Sequence, residues 1–322
     1  MVKVIATADC HIKMVPGVSK RWQIARYERF ISDLVDKCVK SNSILVIAGD
    51  LLDSVSAKKE ELQLVLKLLH SLYAHNVTTL MVSGNHSTIK TGESFLDYLE
   101  LNRFPNIVYR NNFEIENVKF HLVNHDSIHG YVPDLGNGLN ILISHFRCNF
   151  NKFVTEEIDV EKFTGPFDFC IAGDIHAPFE IGNVVYTDKP INKEFDSNPS
   201  CGYLEITIDK DVTYKRVPTY YPSLVGKKVK AHEFNNLVFQ PEHYYRVEVE
   251  GSPAELKSIQ PPSNNVILSK VPVVQSAIAS VEEVEKITED AYSDDGLIGY
   301  MKSLNYEDDL IANMMSELRR DV

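Results

Sequence analysis

Five apolar runs in this chain stop at residues able to bind metal ions. VKVIATADCH delivers Asp9 and His11, SILVIAGDLLD delivers Asp50 and Asp53, and TTLMVSGNHS delivers Asn85 and His86. NILISHF ends on His145, and FCIAGDIHAP delivers Asp174 and His176. Carboxylate, imidazole and amide oxygen in one set suit Mn²⁺, Fe²⁺ or Zn²⁺ better than Ca²⁺. Two such ions about 3.5–4 Å apart need a bridging carboxylate and clamp an in-line phosphoryl displacement. Asp50, from the middle strand of the first series, is the expected bridge. Asp9, His11 and His176 would complete one site, and Asn85, His145 and Asp174 the other. His86, beside Asn85, is placed to protonate a leaving oxygen. Taken singly, each has a plainer reading: Gly-Asp-x-x-Asp as a helix-capping turn, Gly-Asn-His as a tight turn, His145 as a core histidine. Their recurrence, in this order, at five strand ends points to metal. Asn124-His125-Asp126 lacks a preceding glycine and reads as a structural turn.

The elements that must position these residues follow from periodicity. Val2–Ala6, Ile44–Ala48 and Thr79–Ser83 read as buried strands. Between them, Trp22–Val39 and Lys58–Leu72 carry apolar residues at helical spacing. The βαβαβ order implies a parallel sheet with right-handed crossovers, and ligands gather at the carboxyl ends of such strands. From Ile107 onward, NIVYR, VKFHLVN, NILISHF, DFCIAGD, NVVYTD, GYLEITI and VTYKRV follow as strand after strand, the pattern of a second, mixed sheet stacked on the first. YYPSLVGKKVKAHEFNN reads as a connector. YYRVEVE, the helix start at Ser252-Pro253 and NNVILSKV then make a small β-α-β unit. The final stretch holds two amphipathic segments, the clearer one placing Leu310, Ile311, Met314, Met315 and Leu318 on one face. Three regions are expected: 1–222 for the main body, 223–279 for connector and small unit, and 280–322 for a helical tail.

The net charge of −12 is uneven: residues 282–322 hold twelve acids and four bases, so −8 belongs to the tail. The main body is close to neutral, which leaves a nucleic-acid substrate open but disfavours a protein that coats DNA unaided. The five scattered cysteines fit a reducing setting. No run of about 18 apolar residues occurs, so no membrane span is expected. The chain enters its first strand without an apolar leader, and a cytoplasmic location is expected.

The order Asp-x-His, Gly-Asp-x-x-Asp, Gly-Asn-His, His, Gly-x-x-His resembles the calcineurin-like metallophosphoesterase superfamily. VIAGDLLDS, GDIHAPFEIGNVVYTDKPINKEFD, GYLEITI and YYRVEVEGSPAELKSIQPPSNNVIL further resemble, in that order, the SbcD-like nuclease subunits of SbcCD-type DNA-repair complexes. The resemblance covers nearly the whole chain. It implies a four-layer α/β/β/α sandwich with a small β-α-β capping domain and a C-terminal helical tail. It implies two divalent cations, Mn²⁺ foremost with Mg²⁺ as the alternative, held by Asp9, His11, Asp50, Asn85, His145 and His176, with His86 as proton donor. It also implies exonuclease action on duplex ends and endonuclease action on single-stranded or hairpin DNA. The implied partners are an SbcC-like SMC-type ATPase, docked through the tail, and a second copy of the chain in a heterotetramer; the chain's compactness suits a phage version.

Two positions depart from that pattern. Asp174 stands where an imidazole ligand is expected, and Ser87 where an acid follows Gly-Asn-His. A carboxylate at 174 adds negative charge and a harder oxygen, which would tilt the second site towards Mn²⁺ or Mg²⁺. Ser87 would remove an acceptor behind a ligand or behind His86. For DNA contact, Lys13, Lys20 and Arg21 beside the single tryptophan, Trp22, follow the first ligand pair, and Lys227 and Lys228 form a second basic cluster. Two other readings remain: a stand-alone phosphoesterase on nucleotides or phosphoproteins, and a non-catalytic docking subunit whose metal site has decayed.

Overall fold

The computed structural model describes residues 1–86, 96, 104–109, 112–148, 158–196 and 201–273. The tail residues Leu310, Ile311, Met314, Met315 and Leu318 lie outside these, as does Ser87.

The first sheet begins with β1 (Val2–Thr7), β2 (Ile44–Ala48), β3 (Thr79–Val82) and β4 (Ile107–Tyr109), paired in parallel. Its other side is completed by β11 (Gly202–Ile208), antiparallel to β1, and β12 (Val212–Pro218) beyond it. The second sheet runs in the order β5 (Phe113–Ile115), β6 (Val118–Val123), β7 (Leu139–His145), β8 (Phe169–Gly173), β10 (Val184–Tyr186), β9 (Phe179–Ile181). This corrects the expectation that every strand after Ile107 joins the second sheet. NIVYR, GYLEITI and VTYKRV extend the first. Local alternation marks a strand but does not name its neighbour.

The layers follow from burial. Strand β2 is buried at all five positions because both faces are covered. Val4, Val46, Leu80, Phe120, Ile141, Ile143, Ile171 and Leu204 fill the space between the sheets. Ile5, Leu45, Ile47 and Met81 face the helices α1 (Lys20–Ser41) and α2 (Lys59–Ala74). Tyr27, Phe30, Ile31, Leu34, Val35 and Cys38 give α1 the apolar stripe that docks there. Ser19 caps α1, its hydroxyl accepting from the Trp22 N–H, and Asn42 ends it in the left-handed region at φ 50°. On the outer face of the second sheet, Phe146, Phe163 and Phe167 pack with Leu142 and Tyr186 under the short helix Glu161–Thr164. The architecture is thus the mixed, layered α/β sandwich. Among the described residues no helix is long and apolar enough to cross a membrane.

The small unit holds one strand more than expected. The stretch read as a connector forms β13 (Leu224–Lys230), parallel to β14 (Tyr244–Gly251), which is parallel to β15 (Val266–Pro272). Lys227, Lys228 and Lys230 take much of this strand, so little of its burial shows in the residue types. The helix Pro253–Ser258 starts where the sequence places it. The Ser252 hydroxyl accepts the Glu255 N–H at 3.4 Å, and the Glu255 carboxylate accepts the Ser252 N–H at 2.8 Å.

Candidate metal centre

All five strand ends meet at one edge of the two stacked sheets. β1, β2 and β3 bring Asp9, His11, Asp50 and Asn85 from the first sheet, while β7 and β8 bring His145, Asp174 and His176 from the second. Close approach of the sheets requires clearance. A Cβ at Gly49 or Gly173 would collide with the His145 ring, and one at Gly84 with the Asp50 carboxylate. The backbone is strained in the same place. Asp9, His11, Asp50 and Asp174 have φ of 54°, 39°, 46° and 94°, four of the seven non-glycine residues with positive φ among those described. Such strain concentrates where surrounding structure holds a functional side chain in position.

Asp9, Asp50, Asn85 and His145 each spend one polar atom on a hydrogen bond within the protein and turn another inward. Asp9 Oδ2 accepts the Asp174 N–H at 3.0 Å, and Asp50 Oδ1 accepts the His86 N–H at 3.1 Å. The His145 Nδ1–H donates to the Ala48 carbonyl at 2.9 Å, so in the neutral ring the tautomer is fixed and the Nε2 lone pair faces the site. Asn85 donates Nδ2–H to Asp174 Oδ1 at 3.5 Å, leaving its carbonyl oxygen. The atoms left over, Asp9 Oδ1, Asp50 Oδ2, Asn85 Oδ1 and His145 Nε2, are buried without a hydrogen bond. An unmatched buried polar atom costs about 1–3 kcal/mol, so four in one place call for a cation.

Two ligand groups result. Asp9 Oδ1 lies 3.2 Å from His176 Nε2 and 3.5 Å from His11 Nε2, and the two imidazole nitrogens are 3.2 Å apart. Asp50 Oδ2 lies 3.4 Å from His145 Nε2 and 3.6 Å from His11 Nε2, so it faces both groups. Among the described residues, Asp9 belongs to two of three metal-competent sets, Asp9–His11–His176 and Asp9–Asp50–His145; the third is His11–Asp53–His86. The donor set of carboxylates, imidazoles and one amide oxygen fits a divalent ion such as Mn²⁺, Fe²⁺ or Zn²⁺.

The charge balance is set by mutual contact. Burial alone would push the Asp9 carboxyl up, but His11 and His176 beside it hold it far below the usual carboxylate range. Burial would lower His145, yet the Asp174 and Asp50 carboxylates raise it well above the ordinary imidazole value. His11 is likewise raised, against its burial, by Asp53 and Asp9. Asp174, despite burial, is lowered to about 2 by His145 and Arg147.

The sequence reading left three residues at this centre unassigned. Asp53 Oδ1 lies 3.1 Å from His11 Nδ1, so a carboxylate stands behind that imidazole and orients it. Asp53 also gathers Lys13 Nζ at 3.1 Å and Lys193 Nζ at 3.6 Å. Arg147 pairs with Asp174. Asp53 was visible in Gly-Asp-x-x-Asp, but nothing local signals Arg147 or the buried Lys193. His86 is exposed, and its Nδ1–H donates to the Asp53 carbonyl at 3.1 Å, which turns Nε2 away from that anchor. Asn124 is structural, as expected: its Oδ1 accepts the Ser83 N–H at 2.9 Å.

The expected DNA contacts divide. Lys13 sits at the site, paired with Asp53, and Arg21 is exposed. Lys20 pairs with Glu60 at 2.7 Å. The Trp22 indole donates Nε1–H to the Glu242 carbonyl at 2.9 Å and lies 4.8 Å from the Tyr244 ring, so it joins the main body to the small unit rather than offering a free stacking face. Lys228 is neutralised by Glu248 at 2.9 Å and Glu250 at 2.7 Å, and Lys227 lies 5.9 Å from the Tyr245 ring centroid.

A family profile described as calcineurin-like phosphoesterase matches residues 2–178. Among solved structures, the chain is similar to TT1561 of Thermus thermophilus, with 10% identity and a TM-score of 0.41 over 67% of this chain and 98% of that one. It is similar to the purple acid phosphatase PPD1 from yellow lupin (Lupinus luteus) seeds, with 12% identity and a TM-score of 0.40 over 67% of this chain and 51% of that one. It is also similar to a cold-active protein-tyrosine phosphatase of a psychrophilic Shewanella species, with 12% identity and a TM-score of 0.36 over 68% and 80%. No curated protein matches.

Proposed function

This chain belongs to the calcineurin-like phosphoesterase family, and from that premise we propose that it is a metal-dependent DNA phosphodiesterase, an SbcD-like nuclease subunit. The phosphoesterase chemistry is carried by one observation: four buried polar atoms from Asp9, Asp50, Asn85 and His145 converge without hydrogen bonds. Asp9, His11, Asp50, Asn85, His145 and His176 would hold two divalent ions, which when bound supply Lewis acidity towards a phosphoryl oxygen and an attacking water. The chain's own groups do the rest. Asp53 and the Ala48 carbonyl fix the imidazoles of His11 and His145. The Asp53 carbonyl holds the exposed His86 by Nδ1–H, and the imidazolium form, protonated at Nε2 as well, would give that Nε2 proton to the leaving oxygen and return to the neutral ring. Lys13 and Lys193, held at Asp53, place positive charge where a phosphate backbone would pass.

DNA as substrate is supported by the sequence resemblance that runs from the main body into the small unit. It is supported too by where that unit sits. Trp22 and Tyr244 fasten it beside the N-terminus of α1, next to the loop that follows His11. The SbcC-like ATPase partner, the dimer and the manganese preference belong to the same proposal.

The test is cleavage of end-labelled linear and hairpin DNA by the purified chain in Mn²⁺, Mg²⁺ and EDTA. Bis-p-nitrophenyl phosphate and p-nitrophenyl phosphate run alongside, with a His86→Ala control. Mn²⁺-dependent DNA cleavage lost in the control supports the nuclease. Hydrolysis of the small esters with intact DNA, even with an SbcC-type ATPase added, would leave a stand-alone phosphoesterase.

A further inference from the structure

The Asp174 carboxylate is turned towards the metal centre and is 4% exposed, whereas the Arg147 side chain against it is 38% exposed. Arg147 donates Nε–H to Asp174 Oδ2 and Nη2–H to Oδ1, the latter at 3.1 Å. One guanidinium thus engages both carboxylate oxygens, the fork that its rigid, planar donors favour. The Oδ1 atom also accepts the Asn85 Nδ2–H at 3.5 Å and lies 3.6 Å from His145 Nε2. Asp174 joins neither of the metal-competent sets that hold Asp9, although His145, its neighbour, joins one. Its inward position and its engagement with Arg147 therefore pull in different directions.

We propose that Arg147 is a positioning residue that competes with the second cation for Asp174. The pocket of Asn85, His145 and Asp174 then loads more weakly than the pocket of Asp9, His11 and His176. A cation that recruits Asp174 must break at least one arm of a charge-assisted fork. A phosphate oxygen offers the guanidinium an equivalent acceptor. When phosphate draws Arg147 away, Asp174 is released to the cation, so anion and second cation load together. By linkage, each raises the other's affinity by the same factor. The inference rests on the dinuclear reading of this site and is independent of whether DNA is the substrate.

Isothermal titration of Mn²⁺ into the metal-free chain tests it, with electron paramagnetic resonance reporting the spin-coupled pair. The wild type is expected to show a tight step and a second step at least roughly ten-fold weaker. Arg147→Ala is expected to strengthen the second step roughly ten-fold and leave the first unmoved. Inorganic phosphate is expected to strengthen the second step in the wild type and to do so less in the variant. Arg147→Gln repeats the measurement if the alanine variant does not fold, and Arg147→Lys, which keeps the charge without the fork, should fall between. Two wild-type steps of equal affinity, or a second step unchanged or weakened by Arg147→Ala, would overturn the proposal alone. No Mn²⁺ uptake by the wild type would overturn the dinuclear reading with it.

Discussion

The two halves of the metal centre are braced by opposite charges. Behind His11 stands a carboxylate, Asp53, the kind of partner that strengthens an imidazole towards a metal ion. Against Asp174 stands a guanidinium, Arg147, which occupies the oxygens a cation would use. One half is prepared to receive a metal ion, and the other holds its carboxylate in reserve. Ligand identity alone would not separate them, since both contain carboxylate and imidazole. The partner one step behind the ligand does.

The comparison breaks first at Asp50, which faces both halves. Asp50→Asn is expected to lower phosphodiester hydrolysis by roughly a thousand-fold, about 4 kcal/mol of barrier, and to weaken both Mn²⁺ steps. Loss of only one step in titration calorimetry would show that Asp9 carries the bridge. His86→Ala should cost about a hundred- to ten-thousand-fold in turnover with both Mn²⁺ affinities retained. A matching fall in Mn²⁺ affinity would make His86 a ligand instead.

Asp53→Asn sharpens the contrast from the other side. It is expected to weaken the Asp9–His11–His176 step roughly ten- to a hundred-fold while sparing the step at His145. Equal weakening of both steps would mean that the halves are not separately braced.

The effect of pH follows from the raised imidazoles. His11 and His145 have folded-state values above the ordinary one. In the metal-free chain their contribution to stability is full below the unfolded imidazole value of about 6.5 and drains as pH climbs through the raised folded values. Cation binding needs the same nitrogens deprotonated, so it strengthens over that range. The gap in Tm between Mn²⁺- and EDTA-treated protein should therefore widen from pH 6 to pH 9. A gap that narrows would contradict the placement of these imidazoles as ligands. The smallest effect is expected at Trp22, where alanine removes an aromatic contact worth about 0.5–1.5 kcal/mol. Hydrolysis of small esters should be unchanged and DNA cleavage reduced; equal loss on both substrates would make Trp22 part of the body's own packing.

Sequence marked the candidate ligands that converge here because strand ends are written locally. An apolar run, a glycine and a polar residue sit within a few positions, as in Ala48-Gly49-Asp50. Helices α1 and α2 were legible for the same reason, and their bounds moved by one or two residues. What did not show was pairing across distance. Strand β4 and the β11–β12 pair look like any others, and their place beside β3 and β1 is decided by neighbours far along the chain. Strand β13 hid behind its lysines. Arg147 and Asp174 are 27 positions apart, and neither carries a mark of the other. Trp22 advertised an aromatic beside basic residues, but its indole had been claimed by Glu242 and Tyr244.

Gly49, Gly84 and Gly173 carry no side chain to offer a substrate or metal, yet each abuts a candidate ligand so closely that a methyl group would collide with it. A saturation scan would therefore return these three positions as intolerant as the ligands beside them. Part of what looks like reactive signature in this chain is empty volume, and a redesign that copies the acids and histidines onto another scaffold must copy that clearance as well.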